Sequence, residues 1–221
     1  MSIFIFGILR CAQNDTMGFV RSFDTISDFL LNCLEVARES AEPLSASTST
    51  KGLVEIFTGE GKGKTSAALG AIIRALGHGL RVHVVFFMKG DFPYGEQKIL
   101  CQLPNCTMER FGFQEFVDPA KPKVEEKAEA KKALEAARKA MLSKKYDVVI
   151  LDEVNIAAAW KLIDVDDVVR LIEDKPEKVE LILTGRYADP KIVKAADLVT
   201  EMVKIKHPYD KGILSRKGVE Y

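Results

Sequence analysis

The stretch Phe57–Gly70, FTGEGKGKTSAALG, decides the fold. It crowds glycines and lysines into a short span and then becomes an alanine-rich run. A phosphate-binding loop asks for Gly, four residues, then Gly-Lys-Ser/Thr. Gly63, Lys64 and Thr65 complete the end of that pattern, but Thr58 holds its first position and the glycine comes one residue late, at Gly59. The flanks settle the reading. LVEIF (53–57) is a short apolar strand, and the run from about Lys64 to Leu76, closed by Gly77, is helical. In that setting glycines let main-chain amides approach a polyphosphate, and the helix start adds free N–H groups and the positive end of its dipole. Thr58, Gly59, Glu60, Gly61, Lys62, Gly63, Lys64, Thr65 and Ser66 are therefore the candidate phosphate site. Lys64 would be a point charge on the phosphates, and the Thr65 hydroxyl a magnesium ligand backed by Ser66. Thr58 is tolerated if that position needs no positive φ. A glycine-rich turn with exposed lysines is the plainer alternative, and the flanks speak against it.

Outward from the loop, strands and helices alternate. RVHVVFFM (81–88), CTMERFGF (106–113), DVVILDE (147–153), VELILTG (179–185) and LVTEMVKI (198–205) read as strands, rich in β-branched and aromatic residues. Helices are expected over 124–143, over 165–174 and from Pro190. Near-continuous apolar strands between helices imply a doubly wound, mainly parallel α/β sheet of the phosphate-loop NTPase type, covered on both faces. Ligands bind such sheets beyond the carboxyl ends of the strands. Asp152 and Glu153 end a strand there, where an acid is placed to hold magnesium through water, together with Thr65. The competing reading is two acids that cap the next helix.

Residues 1–50 differ in character. Ile26, Phe29, Leu30, Cys33, Leu34 and Ala37 recur at helical spacing, and SASTST (45–50) is a polar linker. The expected organisation is thus an N-terminal helical extension over 1–50 and a phosphate-loop domain over 51–221. Residues 1–16 are expected to lack structure, with Met17 as an alternative start.

Composition narrows the partners. The chain has 221 residues, 47% hydrophobic and 29% charged, with 32 Lys plus Arg against 32 Asp plus Glu. Balanced charge gives no electrostatic case for nucleic acid or a membrane surface. The apolar opening MSIFIFGIL is too short to span a bilayer and carries no positive start. Cys11, Cys33, Cys101 and Cys106 match no zinc spacing and read as reduced thiols of a cytoplasmic protein.

The chain should therefore bind a nucleoside triphosphate with magnesium. The GTP-selecting Asn-Lys-x-Asp is absent, which favours ATP. No constellation suggests a protein nucleophile. A generic ATPase or kinase, and a nucleotide-gated adaptor, stay open on these residues alone.

Beyond the loop, IIRALGHG (72–79), VVFFMKGDFPYGE (84–96), VVILDEVN (148–155), LILTGRYADP (181–190) and KHPYDKGILSRKGVEY (206–221) follow in one order. From about Gly52 to Tyr221 the chain resembles the phosphate-loop class of ATP:corrinoid adenosyltransferases, whose loop also begins with Thr. The resemblance implies transfer of the 5′-deoxyadenosyl group of ATP to the cobalt(I) of a corrinoid, with triphosphate as leaving group. It further implies a homodimer and a flavoprotein reductase as electron donor. Arg74, Lys89, Glu96, Asn155 and Arg186 stand at matched positions and are expected around the nucleotide or corrinoid; Lys64, Thr65 and Phe113 are expected to carry catalysis. His78 and His83 are assigned to packing, and His207 and Asp210 to a turn or a ligand contact. One departure is visible. Relatives often read GFTWET where this chain reads GFQEFV (112–117), so Glu115 replaces an aromatic that wedges under the corrin.

Overall fold

The computed structural model describes residues 51–221. The helix expected over Ile26–Ala37, the linker at 45–50 and the alternative start at Met17 lie outside those residues. In chain order the elements are β1 (Val54–Thr58), α1 (Lys64–Gly77), β2 (Val82–Phe86), α2 (Gly95–Leu100), β3 (Cys106–Arg110) and α3 (Val124–Leu142), then β4 (Val148–Asp152), α4 (Val154–Ala159), α5 (Val165–Glu173), β5 (Glu180–Thr184), α6 (Pro190–Ala195) and β6 (Leu198–Glu201). A 3₁₀ turn at Pro208–Lys211 follows.

The strands form one six-stranded sheet in the order β3-β2-β4-β5-β1-β6, and every pairing is parallel. All residues of β2 and β4 are buried, as continuous apolar runs in a sheet covered on both faces must be. One face carries α1 and α2: Ala68, Ile72, Ala75 and Leu100 pack on Val82, Val84, Phe86 and Ile150. The other carries α3 to α6: Ala133, Ala137 and Met141, Val154 and Ala157, Leu171 and Ile192 pack on Val85, Phe87, Val149, Leu151 and Leu183. The connections leaving β1 and β5 thus run over opposite faces. Their loops, with the one after β4, meet at the carboxyl edge of the sheet, where such folds open a crevice.

Several boundaries differ from the sequence expectation. The strand over 147–153 stops at Asp152, because Glu153 turns left-handed (φ 67°, ψ 18°) and starts α4. The strand over 106–113 stops at Arg110, although Phe111 still accepts from Lys89 N at 3.0 Å and donates to Phe86 O at 3.0 Å. The strand over 198–205 stops at Glu201, where Met202 leaves the sheet edge to brace the glycine loop. Helix α1 runs through Gly77, and the left-handed stop belongs to Gly79 (φ 74°). α2 and α4, six residues each, were not expected; so short a helix shows no periodic stripe.

Candidate nucleotide site

The loop between β1 and α1 is built by displacement of the glycine. Thr58 is the last residue of β1 and does not take a positive φ. Its carbonyl accepts from Met202 N at 2.9 Å and its hydroxyl from Ala188 N at 3.3 Å. The left-handed turn falls on Gly59 (φ 94°), where a Cβ would stand 2.6 Å from Met202 O. Gly63 (φ 124°) is the N-cap of α1, and its carbonyl accepts from Ala67 N at 2.7 Å. Between them Gly61 N donates to Met202 O at 2.6 Å. A threonine at the first position therefore costs nothing, because the backbone freedom is needed one residue later.

Lys64 is buried, and its ammonium donates to the carbonyls of Gly59 at 2.8 Å and Gly61 at 2.7 Å. The charge thus sits inside the curve of the loop. Burial pushes its pKa below the usual lysine value; Glu153 opposes that shift and Arg186 adds to it.

Asp152 is the hub. Only 1% of it is exposed. Its Oδ1 accepts from Thr65 Oγ1 at 3.0 Å and from Thr184 Oγ1 at 2.7 Å, and its Oδ2 accepts from Lys89 Nζ at 2.6 Å. The register pairs Leu151 with Leu183, which sets Asp152 beside Thr184. The Thr184 hydroxyl also accepts from Glu153 N at 3.0 Å and so holds the left-handed turn of Glu153. Burial and the neighbouring Asp152 charge raise the Glu153 carboxyl above the usual range, against the pull of Lys89 and Lys64. Burial works against the Lys89 charge too, but Asp152 and Glu153 outweigh it and hold that ammonium above the usual lysine value. Lys89 lies 4.8 Å from the centre of the Tyr94 ring and 3.9 Å from Glu96 Oε1.

Of the residues expected at the site, the structure brings together the loop, Thr65, Asp152, Glu153, Lys89 and Glu96. Arg186 follows β5 and acts on the charges of Lys64 and Glu153. Asn155 stands in the first turn of α4, wholly buried, with both amide atoms lacking a partner among the described residues. Arg74 is not brought in: it is exposed in the last turn of α1, roughly 15 Å along the helix from Lys64 at 1.5 Å per residue. Phe113, about half exposed, lines a small cleft with Met88, Gly112, Glu115 and Val117, beside β3. Phe116, next to the departing Glu115, is 88% exposed. Sequence reading missed Thr184, Tyr94 and Met202. For Thr184 a signal existed, a hydroxyl residue closing a buried strand ahead of a glycine. Nothing in LVTEMVKI marks Met202 as a brace.

Among the described residues no three His, Cys, Asp or Glu side chains converge. A divalent cation here would need oxygens beyond the protein's, as magnesium on a polyphosphate has. The donor set fits that case. Asp152 already accepts three hydrogen bonds, which leaves it to act through water, while the Thr65 hydroxyl and the Glu153 carboxylate are the other groups that would hold the ion.

Comparison with known proteins shows the family. The family model for ATP:corrinoid adenosyltransferase BtuR/CobO/CobP matches residues 50–221. A corrinoid adenosyltransferase from Sinorhizobium is 38% identical, over 85% of this chain and 87% of its own length. One from Pseudomonas aeruginosa is 34% identical, over 81% and 89%. One from Escherichia coli is 32% identical, over 77% and 86%. With the match spanning the loop, the acidic strand end and the terminal segment alike, the chain belongs to the BtuR/CobO/CobP family of ATP:corrinoid adenosyltransferases.

Proposed function

We propose that the loop Gly59–Thr65 holds the triphosphate of ATP as a leaving group, while the chain transfers the 5′-deoxyadenosyl group to the cobalt(I) of a corrinoid. The cobalt lone pair forms a bond to the ribose C5′ carbon. The C5′–oxygen bond breaks, and its electron pair leaves with the triphosphate. The nucleophile belongs to the substrate, so the protein needs no Ser or Cys of its own. Its task is to accept developing negative charge. Lys64 supplies an ammonium inside the loop, and the amides at the start of α1 supply fixed dipoles. Magnesium, held by Thr65 and Glu153 and steadied by Asp152 through water, would neutralise the triphosphate.

The observation that carries the reading is the contact of Thr65 Oγ1 with Asp152 Oδ1 at 3.0 Å. It joins the phosphate loop to the acidic strand end in one site. Phe113, beside β3, is assigned to the corrinoid face. Cytoplasmic location, a homodimer and a flavoprotein reductase that delivers cobalt(I) complete the proposal. Among the described residues Cys101 and Cys106 form no disulfide, which fits a reducing compartment, and no helix there is long and apolar enough to cross a membrane.

The test supplies ATP, magnesium and chemically reduced cob(I)alamin, and follows the visible spectrum and the phosphate products. Adenosylcobalamin with inorganic triphosphate is the expected outcome. ADP with orthophosphate, or no spectral change from folded protein, refutes it.

A further inference from the structure

Residues Arg216–Tyr221 fold back onto the phosphate loop. Val219 N and Glu220 N donate to Arg216 O at 3.2 and 2.9 Å, and Gly218 N donates to Tyr221 O at 2.7 Å. This tight turn aims one carboxylate. Glu220 Oε2 accepts from Arg216 N at 2.7 Å and Nε at 3.2 Å, and Oε1 accepts from Arg216 Nη2 at 2.9 Å. The same Oε1 accepts from Lys62 Nζ at 2.7 Å, across 158 positions of sequence. Lys62 lies in the middle of the glycine loop, where the main chain is otherwise tied by Gly61 to Met202. Arg216 first, and then Lys62, holds the Glu220 carboxyl well below the usual range.

A second contact anchors the segment elsewhere. The Tyr221 ring meets the Phe92 ring edge-on at 5.2 Å, and Phe92 lies 4.8 Å from the Tyr94 ring that faces Lys89. Residues 218–221 thereby form one wall of a cavity of about 270 Å³, opposite Thr65, Ser66, Lys89 and Tyr94. Thr65, the proposed magnesium ligand, and Lys89, which binds Asp152, thus line a space that this segment walls on one side.

We infer that Glu220 and Tyr221 are positioning residues of the nucleotide site: Glu220 holds the phosphate loop through Lys62, and Tyr221 holds the wall through Phe92. The inference rests on the loop being the ATP site. Opening the segment frees the loop, so nucleotide leaves faster when either tie is cut. The Lys62–Glu220 pair is partly exposed, with side chains 45% and 20% accessible. Its effect is therefore moderate and salt-dependent.

The experiment measures dissociation of a fluorescent ATP analogue with magnesium, and steady-state KM for ATP and for cob(I)alamin. The proteins are wild type, Glu220→Gln, Lys62→Met, the double variant and Tyr221→Ala. Glu220→Gln should raise the nucleotide dissociation rate about threefold to fivefold at low salt, with less difference at 0.5 M NaCl, as a single partly exposed pair permits. KM for ATP should rise by more than kcat falls, and KM for corrinoid should hold. In the Lys62→Met background Glu220→Gln should add less than it does in wild type, the remainder coming from its ties to Arg216. Tyr221→Ala should speed release without that coupling. Additive effects in the double variant, or unchanged release in both Glu220→Gln and Tyr221→Ala while wild type binds nucleotide, overturn the inference alone. Failure of wild type to bind nucleotide overturns the ATP reading and this inference with it.

Discussion

Thr184→Val is the sharpest probe of the site, because it changes one hydroxyl and almost no volume. Thr184 has no exposed surface and makes two hydrogen bonds through one oxygen. Losing the bond to the Asp152 carboxylate costs about 1.5–3 kcal/mol, as hydrogen bonds to charged groups do. Leaving Glu153 N–H without a partner costs about 1–3 kcal/mol more, at the low end because Glu153 is only half buried. The total is about 3 kcal/mol. A domain of this size loses roughly 2–4 °C of melting temperature per kcal/mol, so the midpoint should fall by about 6–12 °C. Function should fall as well. Glu153 is held in a left-handed conformation that costs about 1–2 kcal/mol for a residue with a Cβ. Without the Thr184 hydroxyl it relaxes, and the Thr65–Asp152–Glu153 arrangement loosens. Loss of such a supporting hydrogen bond should lower kcat/KM for ATP about 10–100-fold. Thermal melting by circular dichroism and steady-state kinetics measure both, with Thr184→Ser as control. Ser keeps the oxygen and loses a methyl, at about 1 kcal/mol. If Thr184→Val melts within 1 °C of wild type with full activity, or if Thr184→Ser is the worse variant, the hydroxyl is not what holds the acids and the reasoning fails.

Lys64→Ala should cut turnover by about 100-fold or more, as loss of a charge-stabilising group does, while the melting temperature stays near wild type; activity within threefold of wild type would count against the loop as triphosphate site. Because the Glu153 carboxyl titrates above the usual range, its charged form exists only above that raised pKa. Affinity for Mg–ATP should therefore be complete above that raised pKa and fade as pH falls through it, a limb that Glu153→Gln should lack; coincident pH profiles of KM in the two proteins would dismiss the role. Gly59→Ala places a Cβ 2.6 Å from Met202 O at φ 94°. It should destabilise by about 2 kcal/mol or more and weaken ATP binding, and a neutral result in both melting and ATP titration would contradict the loop geometry. Phe113 is 47% exposed, so Phe113→Ala should change stability by less than about 1 kcal/mol yet raise KM for cob(I)alamin; an unchanged corrinoid KM would remove it from that face.

Features encoded within a few residues could be read directly. The glycine turn needs only Gly59 to Thr65, and the alternation of apolar strands with amphipathic helices needs only local periodicity. Covered on both faces, such strands give a parallel doubly wound sheet, and the observed order obeys that expectation. Even the departure at Thr58 was legible, since the next glycine could take the turn. The short helices α2 and α4 were not, because six residues carry less than two full turns of pattern.

By itself, then, the amino-acid order determined the strand–glycine loop–helix, the class of sheet, and the acids at the end of β4. Only the folded chain decided what those acids touch. Lys89 meets Asp152 across 63 positions and Thr184 meets it across 32; Lys62 meets Glu220 across 158. The first two meetings follow from strand order and register, which place the ends of β2, β4 and β5 side by side; the third follows from the segment after β6 returning to the loop. Hydrogen bonds act over about 3 Å of space, and no local pattern in a chain records which distant residues the sheet will bring within that reach.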